Sequence, residues 1–254
     1  MMTNLSAQAP AIGGGEFRVG RVLTRSLAVL LRSFPKYLIF GIVMAVPNFF
    51  SVLHYGTVSV ESQSVSVTNQ AGIGYLLLGM VLFALVQSTM IQGAFQDIRG
   101  QSFDLGTSVR RGLRRFIPVL GTSICATIAL IVGFILLVVP GFIVLTMLLV
   151  AVPVCVVEAV GPFQSLGRSR ALTKGHRWQI FAIYIVPLVV LGIGSFILQA
   201  VGAAIAGITG AAVASFLVVA VMTPYQALVA IVAYHDLRAV KEGLDIEQLA
   251  AVFD

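Results

Sequence analysis

Charge is what this chain has least of: Asp, Glu, Lys and Arg together make up 10% of its 254 residues, against about a quarter in soluble globular proteins. That shortage excludes a water-facing surface along most of the chain. Cysteine is nearly absent too. Cys125 and Cys155 both lie in apolar runs and read as small buried side chains rather than a disulfide or metal pair. Catalytic motifs are missing: there is no H-E-x-x-H and no G-x-x-x-x-G-K-[ST]. Gly167-Arg168-Ser169-Arg170-Ala171 echoes the G-x-S-x-G elbow, but it lacks the final glycine and a preceding strand. His54, His176 and His235 are too dispersed for an evident metal site. These absences predict no catalytic residue, no metal and no cofactor, and the chain reads as non-enzymatic.

Apolar residues take that place. They make up 58% of the sequence, and the mean hydropathy is +1.01, so lipid is the expected solvent for most of the chain. One helical crossing needs about 20 apolar residues at ~1.5 Å each. Residues 37–60 carry no Asp, Glu, Lys or Arg, and neither do 72–93, 116–157 or 178–235. The last two runs are long enough for two crossings each, with turns expected at Pro140-Gly141 and between Gly202 and Gly210. Six spans follow, over about 37–54, 72–93, 117–139, 141–158, 178–201 and 211–235. Residues 1–15 hold no Lys or Arg, hence no charged leader of a signal peptide, and 1–16 read as a disordered tail. Residues 17–236 form the membrane domain, and 237–254 read as a cytoplasmic C-terminal tail.

The net charge of +6 and pI of about 9.7 do not point to nucleic acid, because the cations sit in short segments between apolar runs. All sixteen Lys and Arg fall before span one, between spans two and three, between four and five, or after six. The opposite loops, about 55–71, 140–141 and 202–211, have none. By the positive-inside rule both termini are cytoplasmic. The expected fold class is therefore all-α: a polytopic membrane protein with six transmembrane helices as three hairpins. Basic amphipathic interfacial helices lie on its cytoplasmic side.

Three times a basic amphipathic segment leads into a hairpin. In 17–34, Val19, Val22, Leu23, Leu27, Leu30 and Leu31 oppose Arg18, Arg21, Arg25 and Arg32. Val109, Leu113 and Phe116 then oppose Arg110, Arg111, Arg114 and Arg115. In the third, Pro162 opens a short helix, Phe163 and Leu166 form its apolar side, and Gly175 is its C-cap. Such helices lie in the headgroup plane, and three repeats about an axis along the membrane normal are one expectation. Small residues at four-residue spacing (Gly202, Ala206, Gly210) let helix backbones approach.

No span carries an ionisable residue at mid-depth. Glu158 falls near the inner interface and is expected to pair with Arg168 or Arg170, with Asp97 as its counterpart after span two. Asn48, Gln87, Gln92, Gln199, Tyr225 and Gln226 are the sparse mid-membrane polar groups, expected to bond between helices. Pro47, Pro153, Pro187 and Pro224 can kink their helices and open a cavity. The densest stretch is the crossover at 153–178. There Arg168, Arg170, Lys174 and Arg177 can contact lipid phosphates or a partner protein, or serve as plain topology anchors.

The run PVCVVEAVGPFQSLGRSRALTKGHRWQIF, Pro153 to Phe181, resembles the signature of the bacterial glycerophosphoryl diester phosphodiesterase membrane-domain family. Glu158, Arg168, Ser169, Leu172, Thr173, Lys174, Gly175 and Trp178 carry the likeness. So does the tail AYHDLRAVKEGLDIEQLA, through Tyr234, Asp236, Leu237, Arg238, Glu242 and Gly243. The resemblance implies a six-helix domain of the bacterial inner membrane. It does not carry over the hydrolytic activity, which belongs to a separate soluble barrel. The expected role is a non-enzymatic inner-membrane protein that binds anionic phospholipid or a membrane-protein partner through its basic face. A small permease or lipid transporter is the alternative.

Overall fold

Several helix boundaries in this chain fall where proline, glycine or a hydroxyl interrupts the run, at Ser33, Gly161-Pro162, Gly175 and Gly207. The structure, a computed structural model, describes residues 17–61, 64–69, 72–98 and 105–253; the tail expected over 1–16 lies outside them. Helix α1 spans Val19–Arg32 and stops at Ser33 (φ −120, ψ 32). Helix α2, Phe34–Tyr55, starts at once with a proline in its first turn, and Pro47 lies inside it without ending it. Strands β1 (Gly56–Glu61) and β2 (Ser64–Asn69) then pair antiparallel, with Gly56 opposite Asn69 and Glu61 opposite Ser64. Sequence alone suggested a plain loop here. The hairpin forms because valine alternates with serine and threonine through both halves, a period-two pattern of β-branched residues.

Helix α3 covers Ile73–Ile98 and α4 covers Leu105–Leu136. The second basic segment is not a separate interfacial helix: it runs into the apolar stretch as one helix, with Pro118 inside. The next turn comes at Leu137, whose backbone is extended (φ −171, ψ 155), and α5 takes Val138–Leu148. This is three residues before the expected Pro140-Gly141. Pro140 fits the first turn of α5, where N–H groups have no intrahelical partner. The run then breaks again at Val150 (φ −99, ψ 11) before α6, Ala151–Val157. Helix α7 is Pro162–Thr173.

Helix α8 runs from Arg177 to Phe253, interrupted at Ala206 (φ −136, ψ 23) and Gly207 (φ 58, ψ −140). In one straight helix Gly202 and Gly210 would lie about 12 Å apart. Their backbones instead touch, so that a side chain on either would strike the other's carbonyl. The chain doubles back at 206–207 as two arms, 177–205 and 208–253, with the positive φ at a glycine, which tolerates it. The second arm continues as helix through the segment expected to be a tail.

Five stretches are long and apolar enough to cross a membrane: Phe34–Tyr55, Leu77–Asp97, Gly106–Leu136, Val138–Val157 and the interrupted Arg177–Gly243. The core between them includes Tyr37, Met90, Ile91, Ile183, Leu228 and Ile231. Outside, Ile117, Ile135, Leu188 and Ile205 are 64–80% exposed, on an apolar surface far wider than a soluble monomer tolerates. In α1, Val22, Ser26 and Leu30 are buried, whereas Leu27 and Leu31 face outward.

Close packing of α2 on the second arm depends on Gly41, because a Cβ there would overlap the Ala220 carbonyl. Asn48 accepts a hydrogen bond from Ser215 (2.8 Å) in the same contact. Gly41→Leu should therefore lower the stability of the detergent-solubilised protein by about 1–3 kcal/mol or more. Gly20→Ala, with nothing within 4 Å, should leave it unchanged in the same denaturation measurement.

Candidate lipid-facing site and the polar ring beneath it

Helix α7 has defined ends. Gly161 enters in extended conformation (φ −74, ψ 170) and Pro162 sits in the first turn. Ser165, Ser169, Leu172 and Thr173 are buried, a spacing of four, three and one that makes a single face. Three of these four are hydroxyls, and each is satisfied. Ser165 bonds the carbonyls of Gly161 (2.9 Å) and Pro162 (2.7 Å), Ser169 that of Met147 (2.6 Å), and Thr173 that of Arg170 (3.3 Å). The Ser169 bond answers the break after α5, which deprives Met147 of a normal helical donor. Gly175, at φ 94, closes the helix as a left-handed cap.

Phe163 does not pack inward; it is 79% exposed, as is Trp178 at 82%, and Arg170 and Lys174 are exposed between them. Trp178 meets Phe181 edge-on (6.0 Å between centroids). The polar inner face is affordable because its hydroxyls bond carbonyls, which leaves the aromatic ring for the outside. Arg177 is half-buried, and its Nε has no hydrogen-bond partner.

Arg168 turns the other way. Its Nε donates to both Glu158 oxygens (3.3 Å each) and its Nη2 to Glu242 Oε1 (2.7 Å). Arg238 Nε donates to Glu242 Oε2 (2.6 Å) and Nη1 to the Tyr234 hydroxyl (3.4 Å). Tyr234 donates to Glu158 Oε1 (3.0 Å), and the ring of five side chains closes. Burial works against the Arg168 cation, but the hydrogen bonds and charges of Glu158 and Glu242 outweigh it and raise its pKa above the ordinary value. Arg168 is thus held internally by two carboxylates, while Arg170 and Lys174 are exposed.

Three further contacts gather the other basic segments at this same end. Arg25 bonds Asp236 (3.0 Å), with His235 Nδ1 also near that carboxylate (3.6 Å). Asp97 takes hydrogen bonds from Ser33 (3.2 Å) and Tyr37 (3.4 Å), with Arg32 at 4.0 Å. Arg115 donates to the carbonyl of Ala159 (3.1 Å), whose backbone has φ 59.

Of the residues singled out from sequence, Glu158, Arg168 and Arg238 come together, and Ser169, Thr173 and Gly175 shape α7 beneath them. Asp236 joins Arg25 instead, and Asp97 forms its own cluster. Glu242 and Tyr234 complete the ring only because the second arm of α8 stays helical, placing Tyr234, Arg238 and Glu242 on one face at steps of four. Both cysteines are free thiols, and among the described residues no three His, Cys, Asp or Glu side chains gather as a metal set. No family model, curated protein or solved structure matches the chain.

Two outcomes follow from this arrangement. Arg168→Ala removes the group shared by Glu158 and Glu242, and should lower the thermal midpoint in detergent by the equivalent of about 1–3 kcal/mol. Arg168→Ala and Glu242→Gln should be non-additive in a double-mutant cycle. His176, against the Phe17 ring (5.7 Å), has its pKa held below 6.5, first by burial and then by the Lys241 charge. As pH falls below that value the unfolded chain binds a proton that the folded chain resists, so stability declines. His176→Gln should flatten that part of the stability-versus-pH curve.

Proposed function

We propose that this chain is a six-crossing protein of the bacterial inner membrane, with both termini cytoplasmic, that binds anionic phospholipid through its basic face. The break at 206–207 supports counting two crossings in α8. The sorting of the cations supports the orientation, because positive segments stay on the cytoplasmic side. The resemblance of 153–181 and 233–250 to the phosphodiesterase membrane domains points to the same membrane. The role is one of binding, and no chemistry is assigned to it.

The observation that carries the reading is the outer face of α7. Phe163 and Arg170 on the helix, Lys174 at its C-cap and Trp178 in the first turn of α8 are all exposed. Aromatic side chains favour the headgroup level, and a cation near an anionic surface contributes about 1 kcal/mol. Arg168 supports α7 from beneath through the ring rather than meeting the phosphate. A small permease or lipid transporter is the second reading, favoured by a cavity of about 300 Å³ between α3, α4, α5, α6 and both arms of α8.

Arg170→Ala combined with Lys174→Ala should weaken binding of the purified protein to phosphatidylglycerol nanodiscs about tenfold relative to phosphatidylcholine nanodiscs. The ring and the melting temperature should stay intact. Unchanged preference for the anionic lipid in a correctly folded double variant would refute the headgroup site.

A further inference from the structure

The cavity between the helices is mostly apolar but carries polar groups in an unusual place. Counting ~1.5 Å of helix per residue from the nearest charged residue, Gln87, Tyr184 and Gln226 lie about 10–15 Å into the bundle. The wall brings together Gln87, Ser123, Thr127, Tyr184, Tyr225 and Gln226. Ser123 Oγ is buried and has no hydrogen-bond partner, a state that costs free energy in a medium without water.

Two backbone carbonyls add to this. Pro153 has no N–H for the Leu149 carbonyl four residues back, and Pro187 none for that of Ile183. All four residues belong to the cavity wall. The helix break at 149–150 also adjoins it, and irregular backbone at membrane depth is tolerated where it lines a cavity. The wall therefore offers one unpaired hydroxyl, Ser123, beside two carbonyls that lack the usual helical donor. It includes no Asp, Glu, Lys, Arg or His, so an ionised ligand would gain no counter-charge.

A second hollow of about 240 Å³ lies beside it, walled by Leu23, Leu27 and Leu30 of α1 and by Val190, Val221 and Met222 of α8. This hollow is apolar, and Pro187 and Tyr225 belong to both walls. A chamber whose apolar wall carries a few polar groups thus adjoins an oily slot.

We propose that the pair is a binding site for a neutral, hydroxyl-bearing lipid of the mono- or diacylglycerol class. The glycerol hydroxyl and ester carbonyl occupy the chamber, and an acyl chain lies in the slot against α1. The hydroxyl donates to the freed carbonyls or the glutamine oxygens, and the ester accepts from Ser123 or a tyrosine. A bare chain would leave the wall unpaired, and a fatty acid would bring a charge. The chamber's volume sits at the small end of the range for ligand sites. The site rests on the bilayer reading of the bundle but not on headgroup docking by α7.

The test is thermal unfolding of the full chain in detergent, with dioleoylglycerol, methyl oleate or oleate added. Dioleoylglycerol should raise the midpoint by about 5 °C or more near saturation. Methyl oleate, which has the chain and an acceptor but no donor, and oleate should raise it by less than half of that. Ala126→Phe, which fills the chamber, should abolish the shift. Should that variant not fold, Ser123→Ala and Tyr184→Phe keep the volume and should each at least halve it. Arg170→Ala with Lys174→Ala should leave it whole, which separates this site from the headgroup face. Equal shifts from dioleoylglycerol and methyl oleate, no shift at all, or a full shift in the folded Ala126→Phe or in both conservative variants would overturn the proposal.

Discussion

A hydrocarbon solvent gives no shelter to a lone charge or an unpaired backbone group, and the rest of this structure depends on that constraint. The apolar stretches carry almost no ionisable side chains, and the carboxylates nearest to them are held. Glu158 is bound by Arg168 and Tyr234, and Asp97 by Ser33 and Tyr37. The same bonds tie segments distant in sequence. Arg25 reaches Asp236, Arg32 approaches Asp97, Arg115 reaches Ala159, and Arg168 reaches Glu242. Four basic segments are thereby gathered at one end of the bundle, with electrostatics and topology pointing the same way.

The apolar lengths and the sorting of cations were legible because lipid demands them of any sequence, whatever the details of packing. Gly175 as a cap and the turn near Gly207 were legible for a similar reason, since each needs a backbone that glycine adopts most readily. Other features were not. The inner face of α7 reads as polar because it buries serines and a threonine, and hydropathy cannot know that carbonyls of Met147 and Gly161 are waiting for them. Residues 237–254 read as a cytoplasmic tail, yet the helix continues to Phe253 and brings Arg238 and Glu242 into the ring. The hairpin at 56–69 carries a pattern that charge does not mark, valines alternating with serine and threonine.

The ring and the chamber divide the work of the polar residues. Arg168 sits in the motif that invites a phosphate-binding reading, but two carboxylates already hold it, so its part is to fasten α7 to α6 and α8. Arg170 and Lys174, on the other side of the same helix, keep their charges facing out. Deeper in, Gln92 bonds the Val156 carbonyl and Asn48 accepts from Ser215, the interhelical role expected of them. Gln87, Tyr225 and Gln226 instead border the chamber. Proline contributes at both levels: Pro162 starts α7, while Pro153 and Pro187 free carbonyls at the chamber wall.

The central claim is that every basic segment shares one side of the membrane and that α8 crosses twice. Single cysteines at Lys174 and at Ala206, in a chain lacking Cys125 and Cys155, can be labelled with a membrane-impermeant maleimide. On intact cells opened only at the outer membrane, the account predicts labelling at position 206 and none at 174. In inverted inner-membrane vesicles the pattern should reverse. Labelling of both positions from the same side would contradict it.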